Sequence, residues 1–381
     1  MKFFYLINSR IPTEKAEGVE AMKLCEALAV FTELEFVASR RFNKIKEDPF
    51  AFYNIKKRFK ITKLLVIDFI PFLNSKFIFW LEAFSFSICS CFYVLAKSKR
   101  EDIIFSHDVF SLFLISFFPR KIFFDLHDFP KNNFWLYRVL FKNIAGITTT
   151  NSWKKNELIK KFNIKEERIC AYPNGIDLNQ FLFEMTTAEA KEKLNLSYDK
   201  ILIGYIGMLK TAGMAKGIDI AIQSLAFLDE KYILVLVGGN QEDVQYYKNY
   251  ADSLKLAQRV KFIGFVKHNL IPTYLKAFDV LIAPFPQNDH YNFYMSPMKI
   301  FEYMASGRPI VATDLNSIRE ILDDDGCMFT RPDSPKDLAD GIKKTITDAN
   351  LAKTKADKAL QIVKKYTWRA RAEKIINFIS N

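Results

Sequence analysis

A lysine and a glutamate three residues apart give segment 292–322 its chemical interest. Ser296 and Pro297 predict a helix start, with the serine as N-cap and the proline in the first helical position. Unpaired N–H groups at such a start, together with Lys299, attract an anion such as a diphosphate. Glu302, on the same helix face, can accept hydrogen bonds from ribose hydroxyl groups. The alternative interpretation is an ordinary amphipathic helix whose lysine and glutamate form a solvated pair.

A second cationic segment follows the apolar run 201–206. Gly207, Lys210 and Lys216 belong to a loop with two further glycines, so flexible backbone and positive charge coincide at a strand end. Such a loop suits a diphosphate. Its spacing differs from G-x-x-x-x-G-K-[ST], which excludes a P-loop. As surface lysines alone, these residues would indicate little.

Two histidines follow predicted strands in the first half of the chain, His107 after 103–106 and His127 after 121–126. In parallel sheets, ligands bind at the carboxyl ends of the strands. An imidazole placed there can hydrogen-bond a sugar hydroxyl or a leaving phosphate, or it can satisfy backbone groups. Gly18, which opens a predicted helix, either lets a phosphate or an acceptor approach the backbone or is a plain helix-entry glycine.

Alternating apolar runs and helical patterns must position these groups. The alternation predicts an α/β protein whose parallel sheets carry helices on both faces. With 381 residues, the chain exceeds one ordinary hydrophobic core, so we expect two domains, at 1–183 and 184–365, and a last helix at 366–381. Gly307 suits the end of the helix after Pro297. The predicted strands of the first half are 3–8, 34–37, 64–67, 103–106, 121–126, 146–149 and 168–171.

The sequence SPMKIFEYMASGRPIVATDLNSIREIL resembles the donor-site signature of family-four retaining glycosyltransferases, of the type that builds bacterial surface polysaccharides. The resemblance implies the GT-B fold, with two Rossmann-like domains, a cleft between them and a last helix that crosses back to the first domain. It also implies that Glu302 holds the ribose and that the helix start binds the diphosphate, at Ser296, Pro297, Met298 and Lys299. Tyr294 departs from the family pattern, because many members carry a second glutamate there.

Shorter segments resemble the same family. In the loop 207–217, Lys216 matches the lysine of the phosphate loop and Lys210 approximates the preceding basic residue. The loop that contains Val266 resembles the one that cradles the base. KAEGVEAMKLCEALA, with Gly18, looks like the first loop and helix lining the cleft. FFDLHDFP, with His127, resembles the region of the cleft histidine, and PNGID resembles the motif that closes the first domain.

The resemblance therefore implies a retaining glycosyltransferase that moves a sugar from a nucleotide-sugar donor to a hydroxyl group of a glycan or lipid-linked acceptor, in cell-surface polysaccharide synthesis. The expected catalytic residues are His127, Lys216 and Glu302. The expected donor-binding residues are Gly18, Gly207, Lys210, Val266, Ser296, Pro297, Met298 and Lys299. The nucleotide sugar is a substrate, and we expect no cofactor and no metal ion. A sugar-nucleotide epimerase or hydrolase of the same fold would use the same donor site.

The net charge of +12 lies mostly in the first half of the chain, above all at 40–63, where lysines and arginines interleave with aromatic residues. Such a patch suits anionic lipid headgroups, a lipid diphosphate or nucleic acid. It also fits ordinary basic surface loops. We expect an anionic membrane surface as a further partner and no nucleic acid. A non-enzymatic basic protein that binds membranes or nucleic acid is the alternative function.

The cysteine content and the N-terminus bear on the cellular compartment. Five cysteines are an odd number without metal-binding spacing, which favours a reducing compartment. The first residues predict a strand and not a signal peptide. The apolar run 77–96 is interrupted by Glu82 and several serines, so we expect a buried or surface-lying helix and not a membrane span. The expected location is the cytoplasm, with attachment to the inner face of the cell membrane as an extension.

Overall fold

The computed structural model describes residues 1–70, 72, 75–130, 132, 134–211 and 213–380. The chain folds as two units, Met1–Gly175 with Trp368–Asn381, and Ile176–Thr367. The predicted boundary at 183 falls inside the second unit. Ala212, which belongs to the predicted phosphate loop, and Asn381, the last residue of the predicted final helix, lie outside the described residues.

The backbone at Ile176 explains where the second unit begins. Its N–H group donates to the carbonyl oxygen of Tyr366 at 2.9 Å, and the residue forms a parallel bridge with Thr367. From Ile176 onward the chain is therefore held by the second unit. The sequence signal at PNGID marked the turn but not this pairing partner, which lies far along the chain.

Seven parallel strands form the sheet of the first unit, in the order β3-β2-β1-β4-β5-β6-β7. Aromatic side chains fill its centre: the ring of Tyr5 lies 5.6 Å from that of Phe36 and 5.5 Å from that of Phe105, its partners in register. The strands are β1 (Lys2–Ile7), β2 (Glu33–Arg40), β3 (Lys60–Leu65), β4 (Ile103–Ser106), β5 (Lys121–Leu126), β6 (Gly146–Thr149) and β7 (Ile169–Ala171).

The helices of the first unit connect these strands, and the last helix of the chain joins them. The helix α15 packs against α1, and the ring of Phe378 on α15 lies 5.8 Å from that of Phe123. The helices are α1 (Ala16–Leu28), α2 (Pro49–Phe52), α3 (Lys76–Lys97), α4 (Val109–Ile115), α5 (Phe134–Asn143), α6 (Ser152–Phe162) and α15 (Trp368–Ser380).

Strand β3 shows where the sequence prediction was wrong. It covers Lys60–Leu65 instead of 64–67. The buried carboxylate of Glu35 on β2 accepts a hydrogen bond from Thr62 Oγ1 at 2.6 Å and pairs with Lys60 Nζ at 3.1 Å. These tertiary contacts stabilise a polar strand start that an apolar pattern does not reveal.

Six parallel strands form the sheet of the second unit, in the order β12-β11-β8-β13-β14-β15, and a separate hairpin joins β9 to β10. The strands are β8 (Ile201–Ile206), β9 (Lys210–Thr211), β10 (Met214–Ala215), β11 (Tyr232–Val237), β12 (Val260–Gly264), β13 (Val280–Ala283), β14 (Ile310–Thr313) and β15 (Met328–Thr330). The helices are α7 (Thr187–Lys193), α8 (Ile218–Ser224), α9 (Gln241–Ser253), α10 (Ile271–Ala277), α11 (Met298–Ser306), α12 (Asn316–Arg319), α13 (Pro335–Thr347) and α14 (Ala349–Val363).

Alternating strand residues of this second sheet enter two different cores. Val235 and Val237 pack with residues of α10, α11 and α14. Leu234 and Leu236 pack with residues of α8, α9 and α13. Because side chains of a strand alternate between faces, helices cover both faces of the sheet, and the predicted α/β architecture is confirmed.

The order of the strands shows where ligands are expected. Chain order reverses between β1 and β4 in the first unit and between β8 and β13 in the second. Ligands of such sheets bind beyond the carboxyl ends of the strands at these positions. The residues that follow are His107 after β4, Gly207 after β8 and Pro284 after β13.

Candidate functional site

The helix α11 begins at Met298, and Pro297 is its N-cap residue, in an extended conformation and without a side-chain cap. The prediction that Ser296 caps the helix and that Pro297 occupies the first helical position was therefore wrong by one residue. The first turn contains Lys299 and is not closed by a capping side chain. At the other end Gly307 adopts the left-handed conformation with φ 67°, as predicted.

Buried side chains hold the start of α11 against the end of β8. The hydroxyl oxygen of Tyr303 accepts a hydrogen bond from the N–H group of Ile206 at 3.0 Å. Phe301 and Met304 are fully buried in the adjoining core. The first turn of α11 is thus fixed beside Gly207, where the backbone turns with φ 127°.

Lys299 is the most unusual residue of this region. Its Nζ atom is buried and has no hydrogen-bond partner among the described residues. The atom lies 3.5 Å from the centre of the Tyr205 ring and would lie 3.5 Å from a Cβ atom placed on Gly207. Burial, and then the positive charge of Lys216, hold the pKa of Lys299 well below its usual range, although the Glu302 carboxylate acts in the opposite direction.

Lys216 supplies a second poorly solvated cation. Burial lowers the pKa of Lys216 to about 8. The next residue, Gly217, has φ 77°, and a Cβ atom there would lie 1.6 Å from the carbonyl oxygen of Pro284. Only glycine fits this close approach, so the loop holds the backbone at Lys216 against the end of β13.

Glu302 lies one turn beyond Lys299 on α11. Burial raises the pKa of the Glu302 carboxyl group to about 7, against the opposing effect of Lys299. Within the described parts of the chain, its carboxylate has no hydrogen-bond donor. Gly207, Lys216, Lys299 and Glu302 form what we call the lysine–glutamate site. It presents two lysines with lowered pKa values and a half-buried carboxylate that can accept hydrogen bonds.

Lys210 is engaged elsewhere. On the hairpin strand β9, its Nζ atom lies 3.6 Å from the centre of the Tyr246 ring and 4.0 Å from Asp243 Oδ1, both on α9. Cation–π and ionic contacts with α9 therefore hold this side chain. The assignment of Lys210 to donor binding remains a prediction that this arrangement does not favour.

Val266 and Tyr294 lie in segments that follow strands of the second unit: Val266 comes after β12, and Tyr294 comes between β13 and α11. Val266 is half-buried and packs against the core shared with α11. It follows Gly264, whose carbonyl oxygen accepts a hydrogen bond from the N–H group of Gly238 at 2.7 Å. Tyr294 ends a π-helix, His290–Tyr294, that precedes α11. A π-turn of this kind was not predicted from the sequence.

His127 lies in a buried ionic cluster of the first unit. Its Nε2 atom is 2.8 Å from Asp125 Oδ2, and its Nδ1 atom is 3.4 Å from Glu20 Oε2. Burial lowers the pKa of His127, but the Glu20 and Asp125 carboxylates outweigh it and raise the pKa to about 10. The imidazole is therefore protonated at neutral pH. A charged hydrogen-bond donor fits a role towards a phosphate better than a role as general base.

The fourth member of this cluster is Arg371, from α15. It is fully buried and donates to Asp125 Oδ1 at 3.3 Å, to the carbonyl oxygen of Tyr172 at 2.8 Å and to Asn174 Oδ1 at 3.1 Å. We call Glu20, Asp125, His127 and Arg371 the buried ionic cluster. His107 lies beside it, with its ring 5.3 Å from that of His127 and its Nε2 atom 3.0 Å from Glu17 Oε1.

Gly18 is in the first turn of α1, as predicted. The space beside it is not open to a ligand. A Cβ atom there would lie 2.4 Å from Thr13 Cγ2 and 2.4 Å from the Tyr53 hydroxyl oxygen. That hydroxyl donates to the carbonyl oxygen of Thr13 at 2.8 Å. Protein atoms fill the space, which favours the packing role of this glycine over a ligand contact.

Residues 200–348 match the protein family described as Glycosyl transferases group 1. This segment is a glycosyl transferases group 1 domain. It contains all four residues of the lysine–glutamate site.

Curated relatives carry glycosyltransferase names. The chain is 24% identical over 249 residues to an uncharacterised glycosyltransferase of Methanocaldococcus jannaschii, covering 63% of this chain and 61% of the relative. It is 27% identical over 248 residues to the N,N'-diacetylbacillosaminyl-diphospho-undecaprenol alpha-1,3-N-acetylgalactosaminyltransferase of Campylobacter jejuni, covering 59% and 58%. It is 25% identical over 187 residues to the Escherichia coli UDP-Gal:alpha-D-GlcNAc-diphosphoundecaprenol alpha-1,3-galactosyltransferase, covering 48% and 46%. The matched part spans less than two thirds of each of these relatives.

Solved structures share the fold along the whole chain. The Anabaena protein Alr3699/HepE in complex with UDP superposes with a TM-score of 0.75 at 19% identity, covering 100% of both chains. The lipopolysaccharide glycosyltransferase WaaG superposes with a TM-score of 0.71 at 14% identity, covering 100% of both chains. The fold is GT-B, as the sequence resemblance implied.

The group 1 domain brings together only part of the predicted donor-binding set. Gly207, Lys216, Lys299 and Glu302 meet, whereas Lys210 turns to α9. Sequence analysis missed Glu20, Asp125 and Arg371. Asp125 lies two residues before His127 and could have been found by its spacing, whereas Arg371 carries no sequence signal. Among the described residues, no group of three or more histidine, cysteine, aspartate or glutamate side chains is arranged to hold a metal ion.

Proposed function

We propose that this protein is a retaining glycosyltransferase that moves a sugar from a nucleotide-sugar donor to a hydroxyl group of a glycan or lipid-linked acceptor. The observation that carries the proposal is the buried Nζ atom of Lys299 beside Gly207, within the group 1 domain, which finds no hydrogen-bond partner in the described part of the chain. A buried cation without a partner is costly unless an anion binds it. The diphosphate of a nucleotide sugar supplies that anion.

Each residue of the site then has a distinct role. Lys216 and Lys299 stabilise the negative charge that develops on the departing diphosphate, aided by the uncapped first turn of α11 at Pro297 and Met298. Glu302 accepts hydrogen bonds from the ribose hydroxyl groups. Because its half-buried carboxylate has no hydrogen-bond donor among the described residues, two hydroxyl groups would offset its partial desolvation.

The remaining assignments extend this proposal beyond the four residues. Ser296 precedes α11 and lies where the diphosphate would approach. Val266 would form the wall against the base. His127, protonated in its cluster, would bring positive charge towards a phosphate or sugar oxygen while its two ring N–H groups face Glu20 and Asp125. In the sequence, no pair of carboxylates stands out as nucleophile and acid, so we propose that the acceptor attacks from the face that the diphosphate leaves.

The acceptor proposal draws on relatives of the chain. Two of them are named for transfer to sugars on diphosphoundecaprenol, and another is named an O-antigen chain mannosyltransferase, from Salmonella typhimurium. We therefore propose that this protein acts in cell-surface polysaccharide synthesis, on the cytoplasmic side of the cell membrane.

The deciding experiment is donor binding followed by transfer. Thermal-shift screening against UDP-, GDP-, ADP- and dTDP-sugars identifies the donor. Incubation with a diphosphoundecaprenol-linked sugar should then release the free nucleoside diphosphate and elongate the acceptor. NMR of the product should show that the transferred sugar keeps the anomeric configuration it had in the donor. Lys216→Ala and Glu302→Ala should lose most transfer, and Lys336→Ala, on the exposed surface of α13, should not. Release of nucleotide without an elongated product would favour a hydrolase or epimerase.

Removing metal ions is expected to leave transfer intact. Two lysines and the helix start supply the positive charge that a divalent cation gives the diphosphate in metal-dependent sites. The measurement is the initial rate of transfer after dialysis against EDTA, compared with the same sample supplemented with Mg²⁺ or Mn²⁺. A rate that vanishes with EDTA and returns with one of these ions would contradict the expectation.

Donor binding is expected to weaken as the pH rises above 8. Lys216 has a pKa of about 8 in the free protein, and a bound diphosphate raises it towards the usual value. Binding therefore takes up a proton above pH 8, and Kd increases by up to about tenfold per pH unit for this lysine. Calorimetry at pH 8.5 in HEPES and Tris buffers measures the proton uptake directly.

The variant Lys216→Arg provides the matched comparison for this pH effect. Its guanidinium group stays protonated throughout this pH range, so the part of the proton uptake that belongs to residue 216 should disappear. Equal proton uptake by the variant and the natural protein would assign the effect to another group, with Lys299 as the first candidate because its pKa is also lowered.

A further inference from the structure

The outer face of α3 is apolar but not covered by the rest of the unit. Phe77, Trp80, Phe84 and Phe92 are each half or more exposed, at intervals that place them on one side of the helix. The opposite side is buried. A helix that is apolar on both sides is typical of a protein core or of a lipid-contacting position. Among the described residues, no apolar surface covers the outer side of α3.

Polar contacts on the inner side fix the orientation of α3. The fully buried carboxylate of Glu82 accepts a hydrogen bond from Arg41 Nε at 2.9 Å and another from Asn8 Nδ2 at 3.2 Å. Ser90 Oγ donates to Ser111 Oγ on α4 at 3.1 Å. Among the described residues, α3 is the helix long and apolar enough, by length and composition, to cross a membrane. Crossing would strip Glu82 of these partners, whereas lying on a surface would keep them.

The exposed side of α3 continues onto its neighbours. The ring of Trp80 lies 5.2 Å from that of Phe110 on α4, and Phe113, one turn further, lies 6.1 Å from Trp135 on α5. On the other flank, the N–H group of Ile67 donates to Ser85 Oγ at 3.0 Å. We call the aromatic face the exposed apolar side chains of α3 and of the segments that these contacts attach to it: Leu65, Ile67, Phe69, Phe77, Trp80, Phe84, Phe117 and Trp135.

Exposed cations border the aromatic face. The basic segment 40–46 is attached to it by two contacts, Arg41 with Glu82 and the N–H group of Phe42 with Asp68 Oδ2 at 2.7 Å. This segment carries three exposed cations. Two more come from the start of α3 and from α5, one turn after Trp135. The five residues are Arg40, Lys44, Lys46, Lys76 and Arg138.

We propose that the aromatic face docks on the surface of a bilayer that contains anionic lipids, with α3 lying in the plane of the interface. Phenyl and indole rings enter the boundary between headgroups and acyl chains, and the bordering cations pair with anionic headgroups. The proposal does not depend on the transferase assignment, because it uses no residue of the lysine–glutamate site.

Charge argues against two other occupants of this face. In a two-fold dimer the same patch meets itself, which would bring two sets of bordering cations together. Nucleic acid is bound mainly by cations that contact phosphates, whereas here the cations lie at the border and the centre is apolar. A bilayer surface matches both parts of the pattern.

The test uses the full chain and vesicles. Flotation with phosphatidylcholine vesicles is compared with vesicles that contain about 30% phosphatidylglycerol. We expect binding to the anionic vesicles, weakened at about 0.5 M NaCl. The tryptophan emission should shift to the blue and be quenched by brominated lipids, because Trp80 and Trp135 are exposed in the free protein and enter the interface.

Matched variants test whether vesicle binding depends on the aromatic face or on exposed apolar side chains in general. The triple variant Phe77→Ser, Trp80→Ser, Phe84→Ser should bind anionic vesicles about 100-fold more weakly while keeping its melting temperature, since these side chains are exposed. The control is Tyr198→Ser, Phe227→Ser, Leu254→Ser, three exposed residues of the second unit, and it should bind like the natural protein.

Three outcomes would overturn the proposal. The first is equal vesicle binding by the triple variant and the control. The second is absence of binding to the anionic vesicles; a dimer in solution that the triple variant dissociates would then assign the face to a second copy of the chain. The third is absence of vesicle binding together with salt-sensitive binding to a DNA or RNA duplex.

Discussion

Replacing Lys299 by methionine is expected to stabilise the ligand-free protein and to lower kcat/KM for sugar transfer by about 10²–10³-fold. The Nζ atom is buried without a partner in the described structure, and its pKa is held well below the usual range. Methionine has similar length and carries no charge to desolvate. We expect a gain of about 0.5–2 kcal/mol in the free energy of unfolding, measured by urea denaturation.

The variant is expected to gain stability and to lose activity, and this combination distinguishes a ligand-binding lysine from a packing residue. The control Lys336→Met, on an exposed part of α13, should change the free energy of unfolding by less than about 0.5 kcal/mol and leave transfer unchanged. If Lys299→Met lost stability along with activity, the lysine would be a packing residue of the domain. Full activity in the variant would remove Lys299 from the donor site.

Replacing Arg371 by methionine is expected to lower the free energy of unfolding by about 3–5 kcal/mol. The guanidinium group is fully buried and lies 3.3 Å from Asp125 Oδ1 and 4.0 Å from Glu20 Oε1. Without it, His127 and the buried Lys154 are left to compensate two buried carboxylates. The measurement is urea denaturation at neutral pH, followed by a signal from the first unit.

The same helix offers a control for this variant. Arg369→Met removes an arginine whose side chain is mostly exposed and pairs with Glu373 at 3.1 Å, so the expected loss is below about 1 kcal/mol. A loss of similar size in both variants would show that α15 responds to any lost charge. The double variant Asp125→Asn, Arg371→Met should lose less than the sum of the two single losses, because the two groups interact directly.

The buried ionic cluster also sets a pH window. The pKa of His127 is raised from 6.5 to about 10, so the folded state binds its proton more tightly than the unfolded chain does. The stability contributed by the imidazolium is therefore fully present below pH 6.5 and is lost as the pH rises towards 10. The loss of stability over this range should be smaller in a His127→Gln variant, whose side chain does not titrate.

Local patterns in the sequence predicted the elements well where local forces determine them. The strands at 103–106, 121–126 and 146–149 have their predicted bounds, because short β-branched and aromatic runs are buried whatever their partners. Gly307 ends α11 as predicted, since only its left-handed backbone matters. The helix start was wrong by one residue, because Pro297 takes an extended conformation that leaves no capping side chain.

Side-chain partners were not predictable in the same way. Lys210 and Lys216 have equivalent chemistry in the sequence, yet Lys210 contacts Tyr246 on α9 and Lys216 is held by the close approach of Gly217 to Pro284. The sequence left the charge of His127 open, and two carboxylates keep its imidazole protonated. These outcomes depend on residues distant in sequence, which no local pattern identifies.

The sequence by itself determined the α/β class and, through resemblance, the GT-B fold, and it predicted the segments at which a diphosphate would bind. Periodicity, glycine positions and strand-end location suffice for this, because they reflect backbone geometry and burial within a few residues. Only the tertiary structure decided which charges are paired. As far as the chain is described, it leaves Lys299 Nζ without a hydrogen-bond partner, surrounds His127 with carboxylates and brings Arg371 from the last helix into the first unit. Long-range packing controls desolvation and ionic contacts, and these determine what each charged group can do.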